Sequence, residues 1–92
     1  MRDRPAVVIS AGLIRGNEPL LWVLMITSAA NRGWSGDVSL EKRYAECGLD
    51  VPCVIRTTKI STVEAARARI VGSLPQNMLC EVQLIVARHL KD

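Results

Sequence analysis

The sequence LLWVLMITSAANRGWSGD, residues 20–37, begins with seven consecutive apolar residues and ends in a polar stretch. A continuous apolar run of this length, bounded by Pro19 and by Thr27 and Ser28, is typical of a strand buried on both faces. The run is too short to cross a membrane. Polar side chains that follow a rigid buried strand are often found at functional sites, so we expect the site in residues 27–37.

Composition and charge fit one small domain over residues 1–92, whose monomer should be only marginally stable. Twelve Lys and Arg against nine Asp and Glu give a net charge of +3, which is compatible with a polyanionic partner and equally with ordinary surface charge. The aromatic residues are two Trp and one Tyr, without Phe. A surface that stacks many successive bases is therefore not expected.

The three cysteines, Cys47, Cys53 and Cys80, leave one unpaired under any single disulfide. We expect no signal peptide, a reducing cytoplasm as the compartment, and cysteines that serve as buried small apolar residues. No pair has Cys-x-x-Cys spacing and the one histidine is His89, so neither a metal site nor a cofactor is expected. A Ser-His-Asp or Cys-His site would need His89 to leave its helix.

Secondary structure is predicted to place strands first and one substantial helix last. Strands are predicted at residues 5–10, 20–26, 38–40 and 53–60, and the first two form an antiparallel hairpin through a connection over residues 11–19. The segment 41–47 could form one helical turn. The STVE sequence at 61–64 matches a capping box and predicts a helix start, while residues 65–71 fit either a continued helix or a last short strand.

The closing helix has the clearest pattern. Pro75 suits a first helical turn, and apolar residues then recur every three or four positions: Met78, Leu79, Val82, Ile85, Val86 and Leu90. The pattern predicts an amphipathic helix packed on a sheet.

Four blocks of sequence can be read together: RPAVVIS at 4–10, MITS at 25–28, VPCVIR at 51–56 and KISTV at 59–63, followed by a GSLP turn at 72–75. In this order they resemble the MazF/PemK family of toxins from bacterial toxin-antitoxin systems. The resemblance implies a mainly β fold, an SH3-like barrel of the MazF/PemK/CcdB toxin type with a C-terminal helix. It also implies a cytoplasmic homodimer that cleaves single-stranded mRNA at selected sequences without a metal ion, and an acidic antitoxin that covers the same groove.

The sequence departs from the family at its start. Family members usually have another strand and a loop before the Arg-Pro pair, whereas three residues precede Arg4 here. We therefore expect a barrel that is incomplete at the N-terminus, from a truncated product, a misplaced start or a reduced variant. A second hypothesis is a non-catalytic toxin-like module that sequesters antitoxin or, like a gyrase poison, acts on a protein.

The resemblance also assigns catalytic residues. RNA is cleaved when its 2′-OH attacks the adjacent phosphorus, which requires two proton movements and stabilisation of charge on the phosphate. Arg4 is the expected guanidinium donor to that phosphate, and Thr27 is the expected hydroxyl that positions it. The hypothesis is that Arg4 and Thr27 flank one phosphate, and Ser28 is a weaker candidate for a substrate contact.

Five further residues are expected to bind substrate, each with a structural alternative: Asn31, Arg32, Trp34, Arg56 and Lys59. Asn31 and Arg32 could simply belong to a turn. Trp34 could stack on a base or fill the barrel. Arg56 and Lys59 could contact the RNA backbone or be ordinary surface charge.

Overall fold

The computed structural model describes residues 4–10 and 19–90. Within them lie four strands and one α-helix: β1 (Ala6–Val8), β2 (Leu20–Ser28), β3 (Asp37–Ser39), β4 (Cys53–Glu64) and α1 (Gln76–Leu90). Three short 3-10 helices occupy Ala29–Asn31, Ala45–Cys47 and Ala65–Arg67. The predicted strands and the closing helix are thus confirmed, with shifted ends, and the turn predicted within residues 41–47 is present as the second 3-10 helix. Of the predicted connection over residues 11–19, residues 11–18 lie outside the described residues.

The four strands form one antiparallel sheet in the order β1-β2-β4-β3, which curls into a half-barrel. β2 is the long central strand, and it pairs with β1 on one side and β4 on the other. The predicted mainly β fold of the toxin-barrel type is confirmed, and so is the hairpin pairing of the first two strands.

Strand β4 bends sharply where it crosses β2. Leu24 pairs with Ile60 and Ile26 pairs with Ile55, so residues 56–59 of β4 lie opposite Met25 alone. Extra residues on one strand of an antiparallel pair bend that strand and increase its twist. This irregularity therefore contributes to the curl of the sheet.

The core lies between the concave side of the sheet and α1. Leu24, Ile55 and Val82 are fully excluded from solvent. The helix contributes Met78, Val82 and Val86, spaced by four residues, so the predicted amphipathic helix is confirmed. Burial of β2 is less complete than predicted, because Trp22 remains 47% exposed.

The predicted helix start at residues 61–64 is wrong. β4 continues as a strand to Glu64, because Leu20 and Leu21 of β2 pair with Glu64 and Val63. Backbone pairing along a central strand satisfies more hydrogen-bonding groups than a local capping box can. After β4, the chain forms only the short 3-10 helix Ala65–Arg67, and residues 68–75 run without helix or strand. The helix expected over residues 65–71 is therefore limited to one 3-10 turn, and the alternative of a last short strand is wrong.

The cysteines divide into two environments. Cys47 and Cys53 are buried, as predicted, whereas Cys80 on α1 is exposed, and all three are free thiols. Burial raises the pKa of the Cys47 and Cys53 thiols above their ordinary value. Across residues 4–10 and 19–90, none of the helices is both long and apolar enough to cross a membrane.

Candidate functional site

The register between β1 and β2 places Arg4 opposite Thr27. Ala6 pairs with Met25, and the Ile26 backbone N–H donates to the Pro5 carbonyl over 3.2 Å. One residue beyond the Pro5–Ile26 pair, the same register brings Arg4 to the position across from Thr27. This pair is a non-hydrogen-bonded pair of the antiparallel strands. Side chains approach most closely in such pairs. The two residues predicted to be catalytic therefore occupy neighbouring positions on one face of the sheet.

The Thr27 hydroxyl has a defined orientation. Asn31, in the 3-10 helix that follows β2, donates from Nδ2 to Thr27 Oγ1 over 3.0 Å. Ser28 caps the start of that 3-10 helix, because its Oγ accepts a hydrogen bond from the Ala30 N–H over 3.2 Å. Since Thr27 Oγ1 accepts from Asn31, its own hydrogen is directed to a different acceptor. Ser28 and Asn31 therefore both make hydrogen bonds within this turn, and the bond from Asn31 positions the Thr27 hydroxyl.

Strand pairing extends this face across the whole sheet. Thr27 pairs with Val54 of β4, and Val54 pairs with Ser39 of β3. Paired residues share a face, so Arg4, Thr27, Val54 and Ser39 form one row across four strands. Arg4 gives one end of this row a positive charge, and Ser39 at the other end lines an open pocket.

A buried ion pair organises the loop at that end. Arg56 donates from Nε to Asp37 Oδ1 over 3.2 Å and from Nη2 to Asp37 Oδ2 over 3.1 Å. The two side chains are only 10% and 9% exposed. The hydrogen bond from Arg56, opposed in part by burial, holds the pKa of the Asp37 carboxyl below its ordinary value of 3.8. Arg56 Nη2 also donates to the Asn31 carbonyl over 2.6 Å, which ties this ion pair to the turn that carries Thr27.

Trp34 lies against this ion pair. The Arg56 guanidinium carbon is 4.0 Å from the centre of the Trp34 ring, a cation–π distance. Asp37 Oδ2 also accepts a hydrogen bond from the backbone N–H of Trp34 over 3.2 Å. The Trp34 residue is 53% exposed, so its ring does not fill the barrel. Of the two alternatives for Trp34, an accessible ring beside the site is the one that the geometry favours.

Trp34 also lines an open pocket of about 560 Å³. Its lining includes Arg32, Trp34, Asp37, Ser39, Glu41 and Val54. Arg32 Nη1 donates to the Ala29 carbonyl over 2.9 Å and lies 3.5 Å from Glu41 Oε1. Ser39 and Glu41 were missed by the sequence analysis. The sequence signal that could have identified these two residues is the short alternating edge strand, which is β3 in the structure. Ser39 ends this strand and Glu41 follows two residues later.

The remaining basic candidate, Lys59, is exposed on the bent segment 56–59 of β4 and does not line this pocket. His89 comes close to the same loop from α1, because a Cβ on Gly36 would lie 3.4 Å from His89 Nε2. In the part of the chain that the structure describes, no three His, Cys, Asp or Glu side chains are grouped as metal ligands would be.

The half-barrel carries a candidate functional face, which consists of the row that starts at Arg4 and Thr27 and the adjoining pocket. The chain belongs to the PemK-like, MazF-like toxins of type II toxin-antitoxin systems, and the model of that family matches residues 1–90. It is therefore the toxin component of such a system, and membership of this family implies an antitoxin partner. The comparison with curated proteins gave no match.

Proposed function

We propose that this toxin is an endoribonuclease that cleaves single-stranded mRNA without a metal ion. The observation that carries the proposal is the placement of Arg4 opposite Thr27, with the Thr27 hydroxyl oriented by Asn31. A guanidinium beside a hydroxyl at the rim of a sheet suits a phosphate, because both groups donate hydrogen bonds to phosphate oxygens.

The proposed reaction is attack of the ribose 2′-oxygen on the adjacent phosphorus. The new O2′–P bond forms as the P–O5′ bond breaks, which leaves a 2′,3′-cyclic phosphate and a 5′-hydroxyl. The 2′-OH loses its proton to solvent, and the departing 5′-oxygen takes up a proton from solvent. Thr27 donates to a non-bridging oxygen and fixes the phosphate, while Arg4 stabilises the developing negative charge and donates to the leaving oxygen.

The surrounding residues hold the RNA and the catalytic groups. Arg32 and Trp34 contact the substrate in the pocket, and Lys59 contacts the RNA backbone beside it. Ser28 and Asn31 set the turn that positions Thr27. Arg56 supports the site indirectly, because its donors already serve Asp37 and Asn31 and its guanidinium lies against the Trp34 ring.

The proposed assembly is a cytoplasmic homodimer inhibited by an acidic antitoxin segment. A net charge of +3 and the exposed Arg4 and Arg32 favour such a segment over the same face that binds RNA. Occlusion of Arg4 and Thr27 would then be the mechanism of inhibition.

Incubation of the purified protein with mixed-sequence RNA in EDTA tests the proposal. We expect discrete cuts by the wild type and at least a 100-fold slower rate for Arg4→Ala and Thr27→Val. Arg88→Ala and Thr62→Val are matched controls, because they remove an exposed arginine and an exposed strand threonine elsewhere, and they should cut like the wild type. RNA that is bound but left intact would contradict the proposal and favour a non-catalytic, antitoxin-sequestering module.

A further inference from the structure

We propose that the pocket beside Trp34 binds a guanine base, with Glu41 and Arg32 reading its Watson–Crick edge. The inference rests on the proposed function, because it names a base within the RNA that the site would take. Glu41 then becomes a specificity-determining residue of this toxin.

Trp34 provides a fixed surface for the base. One face of its ring is covered by Arg56 at 4.0 Å, while the residue is 53% exposed and lines the pocket, so a base can reach the exposed part of the ring. Arg56 cannot readily move, because it is held by Asp37 and by the Asn31 carbonyl. Unstacked bases of single-stranded RNA stack on such aromatic faces.

Glu41 presents free acceptor sites at the pocket. Ser39 Oγ donates to Glu41 Oε2 over 3.1 Å, and Arg32 Nη1 lies 3.5 Å from Glu41 Oε1. A carboxylate offers about four acceptor positions, so about two remain for a ligand. Asp37, the other carboxylate in the lining, already accepts three hydrogen bonds from Arg56 and Trp34. Glu41 is therefore the carboxylate that is available to a base.

The order of groups on the guanine edge matches the Arg32–Glu41 pair. Guanine presents an acceptor, O6, and then two adjacent donors, N1–H and the N2 amine. Arg32 can donate to O6 while the Glu41 carboxylate accepts from both donors. Adenine and cytosine offer one amine beside an acceptor nitrogen, and uracil offers one N–H between two carbonyls. Only guanine gives a carboxylate two hydrogen bonds.

The Arg32–Glu41 pair is accessible and partly anchored before the base arrives. The two side chains are 62% and 40% exposed, so a base can reach them without opening the core. Arg32 is anchored through the Ala29 carbonyl, and Glu41 also donates its backbone N–H to Ser39 Oγ over 3.1 Å. Anchored side chains lose less freedom on binding, which favours selective recognition.

Binding to uncleavable RNA analogues tests this inference. The probes are fluorescein-labelled 2′-O-methyl hexanucleotides of uridine that carry one central guanosine, inosine or adenosine, followed by fluorescence anisotropy. Inosine differs from guanosine only in lacking the N2 amine. We expect guanosine to bind about tenfold more tightly than inosine, because one hydrogen bond to a charged carboxylate is lost, and adenosine to bind more weakly than inosine.

Two matched variants assign the preference to Glu41. Glu41→Gln should reduce the preference for guanosine over inosine to less than about threefold, whereas Glu46→Gln, which alters an exposed Arg–Glu pair outside the pocket, should preserve it. Equal affinity for guanosine and inosine, or an unchanged preference in Glu41→Gln, overturns the inference. RNA cleavage that shows no dependence on guanine, or failure to bind any of the oligonucleotides, overturns the inference while the proposed function stands. Only mixed-sequence RNA that is left uncut overturns the proposed function.

Discussion

The guanidinium carbon of Arg56 lies 4.0 Å from the centre of the Trp34 ring, and the same guanidinium donates to the Asn31 carbonyl. Asn31 in turn donates to the Thr27 hydroxyl. A single buried arginine thus connects the exposed ring of the pocket to the hydroxyl of the proposed reaction centre. Disturbing this arginine should affect both stability and activity.

Loss of the charge on Asp37 is expected to destabilise the fold. Asp37→Asn leaves the buried Arg56 without its counter-ion, and breaking one side of a buried ion pair costs about 3 kcal/mol. The free energy of unfolding from urea titration at pH 7 measures this cost. Glu46→Gln is the control, because the Arg43–Glu46 pair is exposed and should contribute less than about 1 kcal/mol. Equal losses of unfolding free energy in Asp37→Asn and Glu46→Gln would contradict the importance assigned to Arg56.

The same ion pair predicts an acid-sensitive stability. Because the pKa of Asp37 is lower in the folded protein than in the unfolded chain, the unfolded state binds more protons as the pH drops below 3.8. The stabilisation from Asp37 is complete above that pH and is lost as the pH falls through the folded pKa. We expect the difference in unfolding free energy between wild type and Asp37→Asn to be constant from pH 7 to 5 and to narrow below 3.8. A difference that widens in acid would refute this assignment.

Asn31 is expected to act on the reaction through Thr27. Asn31→Ala removes the donor to Thr27 Oγ1 and should slow RNA cleavage about tenfold. Asn31→Asp should slow it further, because a carboxylate would draw the Thr27 hydrogen away from the phosphate. In a Thr27→Val background the Asn31→Ala change should add little, since the two residues act as one unit. Single-turnover cleavage rates of the single and double variants measure this coupling. If the rate reductions of the two single variants multiply in the double variant, Asn31 does not act through Thr27.

Much of the fold and part of the site could be predicted from sequence, for physical reasons that differ between elements. The apolar run of β2 and the four-residue spacing in α1 are local patterns that burial enforces, so both elements were predicted. The end of β4 was not, because its pairing with Leu20 and Leu21 is a long-range interaction that overrides the local capping signal. For the same reason the burial of Arg56 was missed: its partner, Asp37, is nineteen residues away in sequence.

Thiol reactivity should distinguish the three cysteines. Cys80 is exposed, while Cys47 and Cys53 are buried and their pKa values are raised by burial, which keeps them protonated and unreactive near neutral pH. Titration with a chromogenic disulfide reagent should show one fast thiol in the folded protein and three in urea. Cys80→Ser should abolish the fast phase. Three fast thiols in the native state would contradict the packing of Cys47 and Cys53.

The central claim is that Arg4 and Thr27 promote attack by the RNA's own 2′-OH. Replacing the single ribose at a mapped cleavage site by 2′-deoxyribose removes the nucleophile and leaves the rest of the RNA unchanged. We expect the substituted RNA to compete for binding as well as the parent RNA does, and not to be cut at that position. Cleavage of the deoxy-substituted bond at the parent rate would contradict it, because the attacking oxygen would then have to come from water.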